Sequence, residues 1–193
     1  MAGHARYTAI LDACVLYPVS VADALMSFAE ADLYAAKWTT LIEDEWIRNL
    51  EANRPELAGR LTRRRDFMRM VVPDWEILEP AWRALMPVLT LPDPDDVHVL
   101  AAAIAGHADC IVTANLVDFP ASVLEVHGVT AVHPDDFLMA QFDLDQVRAI
   151  AALRDMRQRS KKPPYDAEEF AQIFERNGLV GMAGRLRKVA VLL

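Results

Sequence analysis

The sequence has little of what marks a secreted or a membrane protein. Its 193 residues contain two cysteines, Cys14 and Cys110, which favours a reducing compartment and a place in the core for both. No uncharged apolar run reaches about 18 residues, so we expect no membrane span. The first residues also lack the basic and apolar blocks of a secretory signal, and we therefore expect a cytoplasmic protein.

The signatures of several enzyme classes are missing as well. There is no Cys/His cluster at zinc spacing, no Gly-x-Ser-x-Gly turn of a serine hydrolase and no GxxxxGK[ST] phosphate-binding loop. Internal repeats and low-complexity tracts are absent too. What remains is a chain of ordinary domain size, whose apolar fraction of 53% is enough for a real core.

The net charge of −8 is unusual for a protein that binds nucleic acid, but its distribution is uneven. Residues 141–193 carry 10 Lys and Arg against 7 Asp and Glu, whereas residues 1–140 carry 10 against 21. An acidic body with a basic tail suits a metal site with a separate anion-contacting surface, and it equally suits a tail that docks on its own body.

Short apolar runs alternate with amphipathic helices over the first 140 residues. Runs at 7–11, 110–112 and 129–132, with a weaker one at 37–39, predict buried strands. Their alternation with helices predicts an α/β fold with a parallel sheet. From residue 143 onward the pattern is helical only, so we expect a domain of residues 1–140 followed by a helical extension of residues 141–193.

The most informative stretch is residues 91–96, in which three carboxylates precede an apolar helix. Asp93 is expected as the N-cap and Pro94 as the first helical residue, with Asp96 in capping-box register. Capping alone explains all three acids. Asp96, however, also falls on the apolar face of its helix, where a carboxylate needs a partner such as a cation. His98 of the same helix follows the acids closely enough to contact a phosphate, but a surface position is the favoured explanation.

Other oxygen-bearing side chains are expected at one edge of the sheet. Asp12 directly follows the first strand, and Thr113, Asn115 and Asp118 follow the third. The carboxyl ends of parallel strands share an edge, where open α/β sheets bind their ligands. Glu45 can reach that edge from the second predicted helix, although a Glu on an apolar face is also explained as a helix-edge residue.

Two predicted helices carry charges that have structural explanations. Thr40 and Glu43 have the spacing of a capping box for the helix predicted over 41–52, so Glu43 is assigned to capping. The helix predicted over 56–71 is rich in arginine, which either guides a phosphate backbone or forms a solvated face. These arginines are Arg60, Arg63, Arg64, Arg65 and Arg69.

The carboxylates of Asp12, Glu45, Asp96 and Asp118 would repel one another at neutral pH if they converged without a cation. Because all the candidate ligands are oxygens, the sequence predicts a site for Mg²⁺, with Mn²⁺ as the alternative, rather than for zinc. An acidic site of this kind suits phosphoryl transfer, in which the metal activates a water and stabilises the leaving oxygen of a phosphodiester.

Four segments, taken in this order, resemble those of PIN-domain nucleases. Within that family they are similar to the VapC-like ribonuclease toxins of bacterial toxin–antitoxin pairs. The resemblance extends over roughly residues 7–137, and the tail resembles a helical extension found in a subset of these proteins. The segments are ILDAC at 10–14, EWIRNL at 45–50, LPDPDDVHVLAAA at 91–103 and VTANLVDF at 112–119.

The resemblance implies a three-layer α/β/α fold and Mg²⁺-dependent endoribonuclease activity, with metal-site roles for Asp12, Glu45 and Asp96. It also implies an RNA substrate, an antitoxin protein that inserts a basic or apolar segment into the acidic groove, and a possible homodimer. A site of several acids would accept an incoming arginine.

The chain departs from the family pattern at Asn115. Where the family often has an acid after Thr-Gly, Asn115 keeps an oxygen but has no charge. Asp118, three residues later, is expected to supply that charge, and Thr113 is expected to orient a ligand or a water. The departure puts a second metal ion and the level of activity in question.

Two other functions are compatible with the same residues. A Mg²⁺-dependent phosphatase on a doubly wound sheet would also place an Asp such as Asp12 after the first strand, but Cys14 occupies the second position of its usual Asp-x-Asp pair. A degenerate PIN scaffold would bind RNA or protein without catalysis, and Asn115 favours that alternative.

Overall fold

The centre of the fold is a four-stranded parallel sheet, seen in a computed structural model that describes residues 6–160 and 162–193. In space the strands follow the order β2-β1-β3-β4, so the predicted parallel α/β sheet is confirmed. The second strand lies two residues earlier than expected, because Trp38 instead bridges to Glu76. The strands are β1 (Thr8–Leu11), β2 (Ala35–Lys37), β3 (Cys110–Val112) and β4 (Thr130–Val132).

Helices lie in every connection between the strands, and after β4 the regular elements of the described residues are all helical. None of them, within the described ranges, is long and apolar enough to cross a membrane. Before β2 the chain forms α1 (Ala13–Leu16) and α2 (Val19–Glu30). Before β3 it forms α3 (Thr40–Asn53), α4 (Thr62–Val71), α5 (Glu79–Arg83) and α6 (Val97–Ala105), and before β4 it forms α7 (Ala121–Leu124). The last helices are α8 (Pro134–Leu144), α9 (Gln146–Ser160), α10 (Ala167–Arg176) and α11 (Val180–Lys188).

The strand order explains why helices cover both faces of the sheet. The step from β1 to β2 and the step from β2 to β3 run in opposite directions across the sheet. Because crossovers between parallel strands are right-handed, the helices of these two connections lie on opposite faces. In agreement, α2 packs on β2, while α6 packs on β1 and β3. The result is the expected three-layer α/β/α arrangement.

The helices after β4 pack against the sheet domain. Both α8 and α9 contact α2, and α11 contacts α8. Arg159 of α9 donates to the Asp23 carboxylate of α2 at 2.7 Å. The Asp135 carboxylate of α8 accepts the backbone N–H groups of Gly181 and Met182 at 2.7 and 2.9 Å, at the start of α11. Of the two alternatives for the basic tail, the structure shows the one in which the tail docks on the body of its own chain. The division between residues 140 and 141 stays a prediction.

The start of α3 differs from the expected capping box. Thr39, rather than Thr40, is the N-cap, and its side-chain oxygen accepts a backbone N–H at 3.1 Å. Glu43 is buried, accepts a hydrogen bond from Trp38 Nε1 at 2.8 Å and forms an ion pair with Arg69. The prediction for Glu43 was wrong because its partner comes from α4, a separate element that local spacing does not reveal.

The arginine-rich segment is neither one helix over 56–71 nor a free basic face. A short 3-10 turn precedes α4, which begins only at Thr62. Arg64 lies over the Trp46 ring, 4.7 Å from its centroid, and donates to the Tyr17 carbonyl at 3.2 Å, just past the end of α1. The Arg64 guanidinium therefore connects α4 with α3 and with the end of α1. Two members of the segment remain exposed: Arg60 and Arg63.

Candidate metal centre

Asp12 joins the carboxyl ends of β1 and β3. Its backbone N–H donates to the Val112 carbonyl at 3.2 Å, which continues the pairing of the two strands by one residue. Its carboxylate is buried, with 4% of the residue exposed. Oδ2 of Asp12 accepts hydrogen bonds from Thr113 Oγ1 at 2.7 Å and from Cys14 Sγ at 3.0 Å. These two donors hold the side chain in one orientation.

Burial is the main influence on the ionisation of this group. It raises the pKa of Asp12, the hydrogen bonds from Cys14 and Thr113 lower it, and the charge of Glu45 raises it further. Burial also raises the pKa of Cys14 to about 12, which keeps the thiol protonated as a donor. The sequence analysis assigned Cys14 to the core and missed this contact, although its position two residues after Asp12 was a usable signal.

Three carboxylates form a cluster beside Asp12. Asp93, Asp96 and Asp118 each offer an oxygen that lies within 4.8 Å of the others. Asp93 is the N-cap of the 3-10 turn Pro94–Asp96, as predicted, and its Oδ1 accepts the Asp95 N–H at 2.9 Å. The sequence pattern predicts only the cap for Asp93, so its place in the cluster was not predicted.

Asn115 and Asp118 belong to the turn that follows β3. The Asn115 side-chain amide donates to Asp118 Oδ2, and its backbone N–H donates to Thr113 Oγ1 at 3.0 Å. The Asn115 amide therefore orients a carboxylate, whereas an acid at this position would repel it. Asp118 thus lies beside Asn115, where the sequence predicts a carboxylate that supplies the charge Asn115 lacks.

Asp96 is the electrostatic centre of the group. Its pKa is raised from the ordinary value of 3.8 to about 7, first by burial and then by the charges of Asp12, Asp93, Asp118 and Glu45. In the described part of the chain, no Lys or Arg forms an ion pair with any of these five carboxylates. The predicted acids thus share one region, and their mutual repulsion is not offset by a side-chain cation.

This crowding predicts an unusual dependence of stability on pH in the metal-free protein. The pKa of Asp96 is higher in the folded chain than in the unfolded one, so between about pH 4 and pH 7 the folded state binds more protons. We expect the free energy of unfolding of the wild type to fall, relative to that of the Asp96→Asn variant, as pH rises through this window. Above about pH 7 the difference should stay constant.

Urea unfolding of both proteins in EDTA, followed at several pH values, measures this difference. At about pH 4 and below, the two stabilities should lie close together, because Asp96 is then protonated in both states. A difference that does not change between pH 4 and pH 7 would contradict the placement of Asp96 among ionised carboxylates.

Glu45 approaches the group from α3 and lies against His98. Glu45 Oε2 is 3.3 Å from His98 Nε2. The expected surface position of His98 was wrong, since only 6% of the residue is exposed and α6 is buried along most of its length. Its Nδ1 has no hydrogen-bond partner among the residues that the structure describes. His98 is therefore a buried neighbour of the site, and its contact with Glu45 was not predicted from the sequence.

The donor set fits a hard divalent cation. The three clustered groups are carboxylates, Asp12 and Glu45 add two more nearby, and the adjacent Cys14 thiol stays protonated. Carboxylate oxygens are the ligands that Mg²⁺ and similar ions prefer, whereas zinc sites favour thiolates and imidazoles. Asp12 and Glu45 lie beside the close cluster and act on it by charge.

Comparison with known proteins agrees with this architecture. The family model described as the PIN domain matches residues 8–116, which is more than half of the chain. The chain belongs to the PIN domain family. A second model, described as the VapC50 C-terminal domain, matches residues 134–188, from the start of α8 to the end of α11. Both findings confirm the resemblance to a VapC-like PIN protein with a C-terminal extension.

A relative of this PIN-domain protein comes from Mycobacterium tuberculosis and is named "Putative ribonuclease VapC50". It is 43% identical over 70 residues, which are 36% of this chain and 41% of that protein. The match thus spans less than half of the relative's own length. No solved structure matches the chain.

Proposed function

We propose that this PIN-domain protein is a Mg²⁺-dependent endoribonuclease that hydrolyses phosphodiester bonds in RNA. The observation that carries the proposal is the close cluster of Asp93, Asp96 and Asp118, whose oxygens lie within 4.8 Å of one another. The carboxylates of Asp12 and Glu45 lie nearby, and charges this close repel one another. A divalent cation relieves such repulsion, and an all-oxygen donor set selects Mg²⁺, with Mn²⁺ as a substitute. The name of the relative from Mycobacterium tuberculosis supports RNA as the substrate.

The chain's own residues would hold and orient the metal ligands. Asp93, Asp96 and Asp118 would bind the ion, with Asp12 and Glu45 beside them. When bound, the ion would supply an activated water and stabilise negative charge on the leaving oxygen. The protein contributes position and charge, and it needs no covalent nucleophile for this reaction.

The neighbours of these carboxylates restrict their movement. Thr113 and Cys14 donate to the Asp12 carboxylate, and the Asn115 amide donates to that of Asp118. Groups held in this way lose little freedom when the substrate arrives, which favours the reaction. We therefore assign Thr113 and Asn115 positioning roles.

We also propose an antitoxin protein as the partner of this chain. A VapC-like protein is expected to be the toxin of a type II pair, restrained by an antitoxin that inserts an arginine among the acids. A guanidinium binds a carboxylate through two parallel hydrogen bonds, and no side-chain cation of the described residues pairs with this cluster. A homodimer stays a prediction.

Incubation of total RNA with the purified protein tests the nuclease proposal. With Mg²⁺ or Mn²⁺ we expect a small set of new RNA ends, found by sequencing the fragments, and with EDTA we expect none. Stabilisation of the protein by Mg²⁺ should accompany cleavage, because an ion that binds the folded state raises its apparent stability.

Two other outcomes would reject the proposal. Stabilisation by Mg²⁺ without cleavage of any RNA would indicate the degenerate scaffold that Asn115 favours. Hydrolysis of a small phosphomonoester, with RNA left intact, would indicate the phosphatase.

A further inference from the structure

A groove of about 510 Å³ opens beside the carboxylate cluster. One face of α3 forms a wall of it, because Leu41, Glu45, Arg48 and Asn49 recur at helical spacing and all line the groove. The turn Pro94–Asp96 forms much of the opposite side. The volume of the groove lies within the range of about 300–1,000 Å³ that is common for small-molecule sites.

Arg48 differs from the other charged groups of this groove. It is exposed, and within the described ranges it forms no ion pair or hydrogen bond, although Glu45, Asp93, Asp95 and Asp96 line the same groove. Other arginines of the chain, such as Arg64 and Arg69, are engaged by neighbouring groups. An unpaired guanidinium keeps all five of its donors available for an incoming anion.

The position of Arg48 relative to the metal ligands selects the kind of anion. Arg48 follows Glu45 by three residues, so it lies about one helical turn, or roughly 4.5 Å of axial rise, further along α3. A polyanion with regularly spaced phosphates can place one phosphate at the carboxylate cluster and the next at Arg48.

The remaining lining of the groove suits the part of a nucleotide between two phosphates. Leu41, Met86 and Pro94 offer apolar surface for a sugar or a base. Asn49 offers both a donor and an acceptor, which is what the edge of a base requires. The groove therefore combines one anion-binding group, one polar group and an apolar surface next to the metal centre.

We infer that this groove binds the nucleotide next to the scissile phosphate, and that Arg48 binds the phosphate on the far side of that nucleotide. The inference rests on the proposed nuclease function, because it takes the carboxylate cluster as the place of the scissile phosphate. It makes Arg48 a substrate-binding residue with no role in holding the metal.

Binding of a short, fluorescein-labelled single-stranded RNA of mixed sequence, measured by anisotropy in the Asp96→Asn background with Mg²⁺ present, tests the inference without cleavage. Adding Arg48→Ala should weaken RNA binding about tenfold. It should also make the negative slope of log affinity against log salt shallower by about 0.7. Arg48→Lys should restore the salt slope but only part of the affinity. In the wild-type background, Arg48→Ala should raise KM with little change in kcat.

Arg54→Ala is the matched control, because Arg54 is an exposed arginine at the end of the same helix and does not line the groove. It should change binding less than about twofold. An equal loss for Arg48→Ala and Arg54→Ala, or no loss for either, would overturn the inference while leaving the nuclease proposal in place if the wild type cleaves RNA. Conversely, RNA binding that depends on Arg48 in a wild type that never cleaves RNA would reject the nuclease proposal and support the phosphate contact.

Discussion

Asp96→Asn is expected to lower Mg²⁺-dependent RNA cleavage at least about 100-fold and to raise the thermal midpoint of the metal-free protein. The loss of activity follows because the amide cannot replace an anionic ligand at a site that acts by charge. The gain in stability follows because burial, and then the charges of four neighbouring carboxylates, raise the pKa of Asp96 to about 7 and so disfavour its ionised form. A single substitution should therefore move activity and stability in opposite directions.

Asp95→Asn provides the matched control for this prediction. Asp95 lies in the same turn and its substitution changes the net charge equally, but it is outside the close cluster of three carboxylates. Its cleavage rate should stay within about threefold of the wild type, since exposed charges of this kind contribute little. Added Mg²⁺ should stabilise Asp95→Asn as it stabilises the wild type, and should stabilise Asp96→Asn less, because Asp93 and Asp118 remain in the cluster. Wild-type cleavage by Asp96→Asn would leave helix capping as the role of this residue.

Arg69→Ala is expected to lower the free energy of unfolding by about 3 kcal/mol. Its guanidinium lies 4.6 Å from the Trp75 ring centroid, and its Nε donates to Glu43 Oε1 at 3.0 Å. The Glu43 side chain is only 2% exposed, so removal of the arginine leaves a buried carboxylate with the Trp38 hydrogen bond. We expect the lower end of the usual cost of breaking a buried pair, because the Arg69 side chain is itself 34% exposed.

Arg65→Ala, on the same helix, is the control for Arg69→Ala. Arg65 pairs with Asp66, and the two side chains are 31% and 58% exposed, so the loss should be about 0–1 kcal/mol. Combining Arg69→Ala with Glu43→Gln should recover part of the stability, since the unpaired charge is then gone. Urea unfolding followed by circular dichroism measures the free energy of unfolding of the wild type, the two single variants and the double variant. A smaller loss for Arg69→Ala than for Arg65→Ala would show that the buried pair does not stabilise the fold.

The parts of the site that follow from strand topology could be predicted from sequence. Asp12 and Thr113 come directly after buried strands, Asp118 lies in the turn that follows β3, and parallel strands bring such positions to one edge. The acids of the 91–96 stretch were visible from their density alone. The positions of these residues depend on local pattern and on the direction of the sheet, and both are present in the sequence.

The parts that depend on contacts between distant elements could not be predicted. Glu43 has its partner on α4, and His98 of α6 has its neighbour, Glu45, on α3. Hydrophobic periodicity indicates which side of a helix is buried, but it does not identify the element that covers that side. Asp93 was missed for a different reason: its role as a helix cap was sufficient to explain it, so its second position, in the carboxylate cluster, was not considered.

The spacing of two glutamates on α3 has a mechanical consequence. Glu43 and Glu45 are two positions apart, about 200° around the helix axis, so Glu43 is held in the interior while Glu45 lies beside the carboxylate cluster. The interior pair resists rolling of the helix about its long axis, and rolling is the movement that would turn Glu45 away from Asp96. The torsional stiffness of a single helix thus links the protein's interior to the arrangement of the carboxylates at the edge of the sheet.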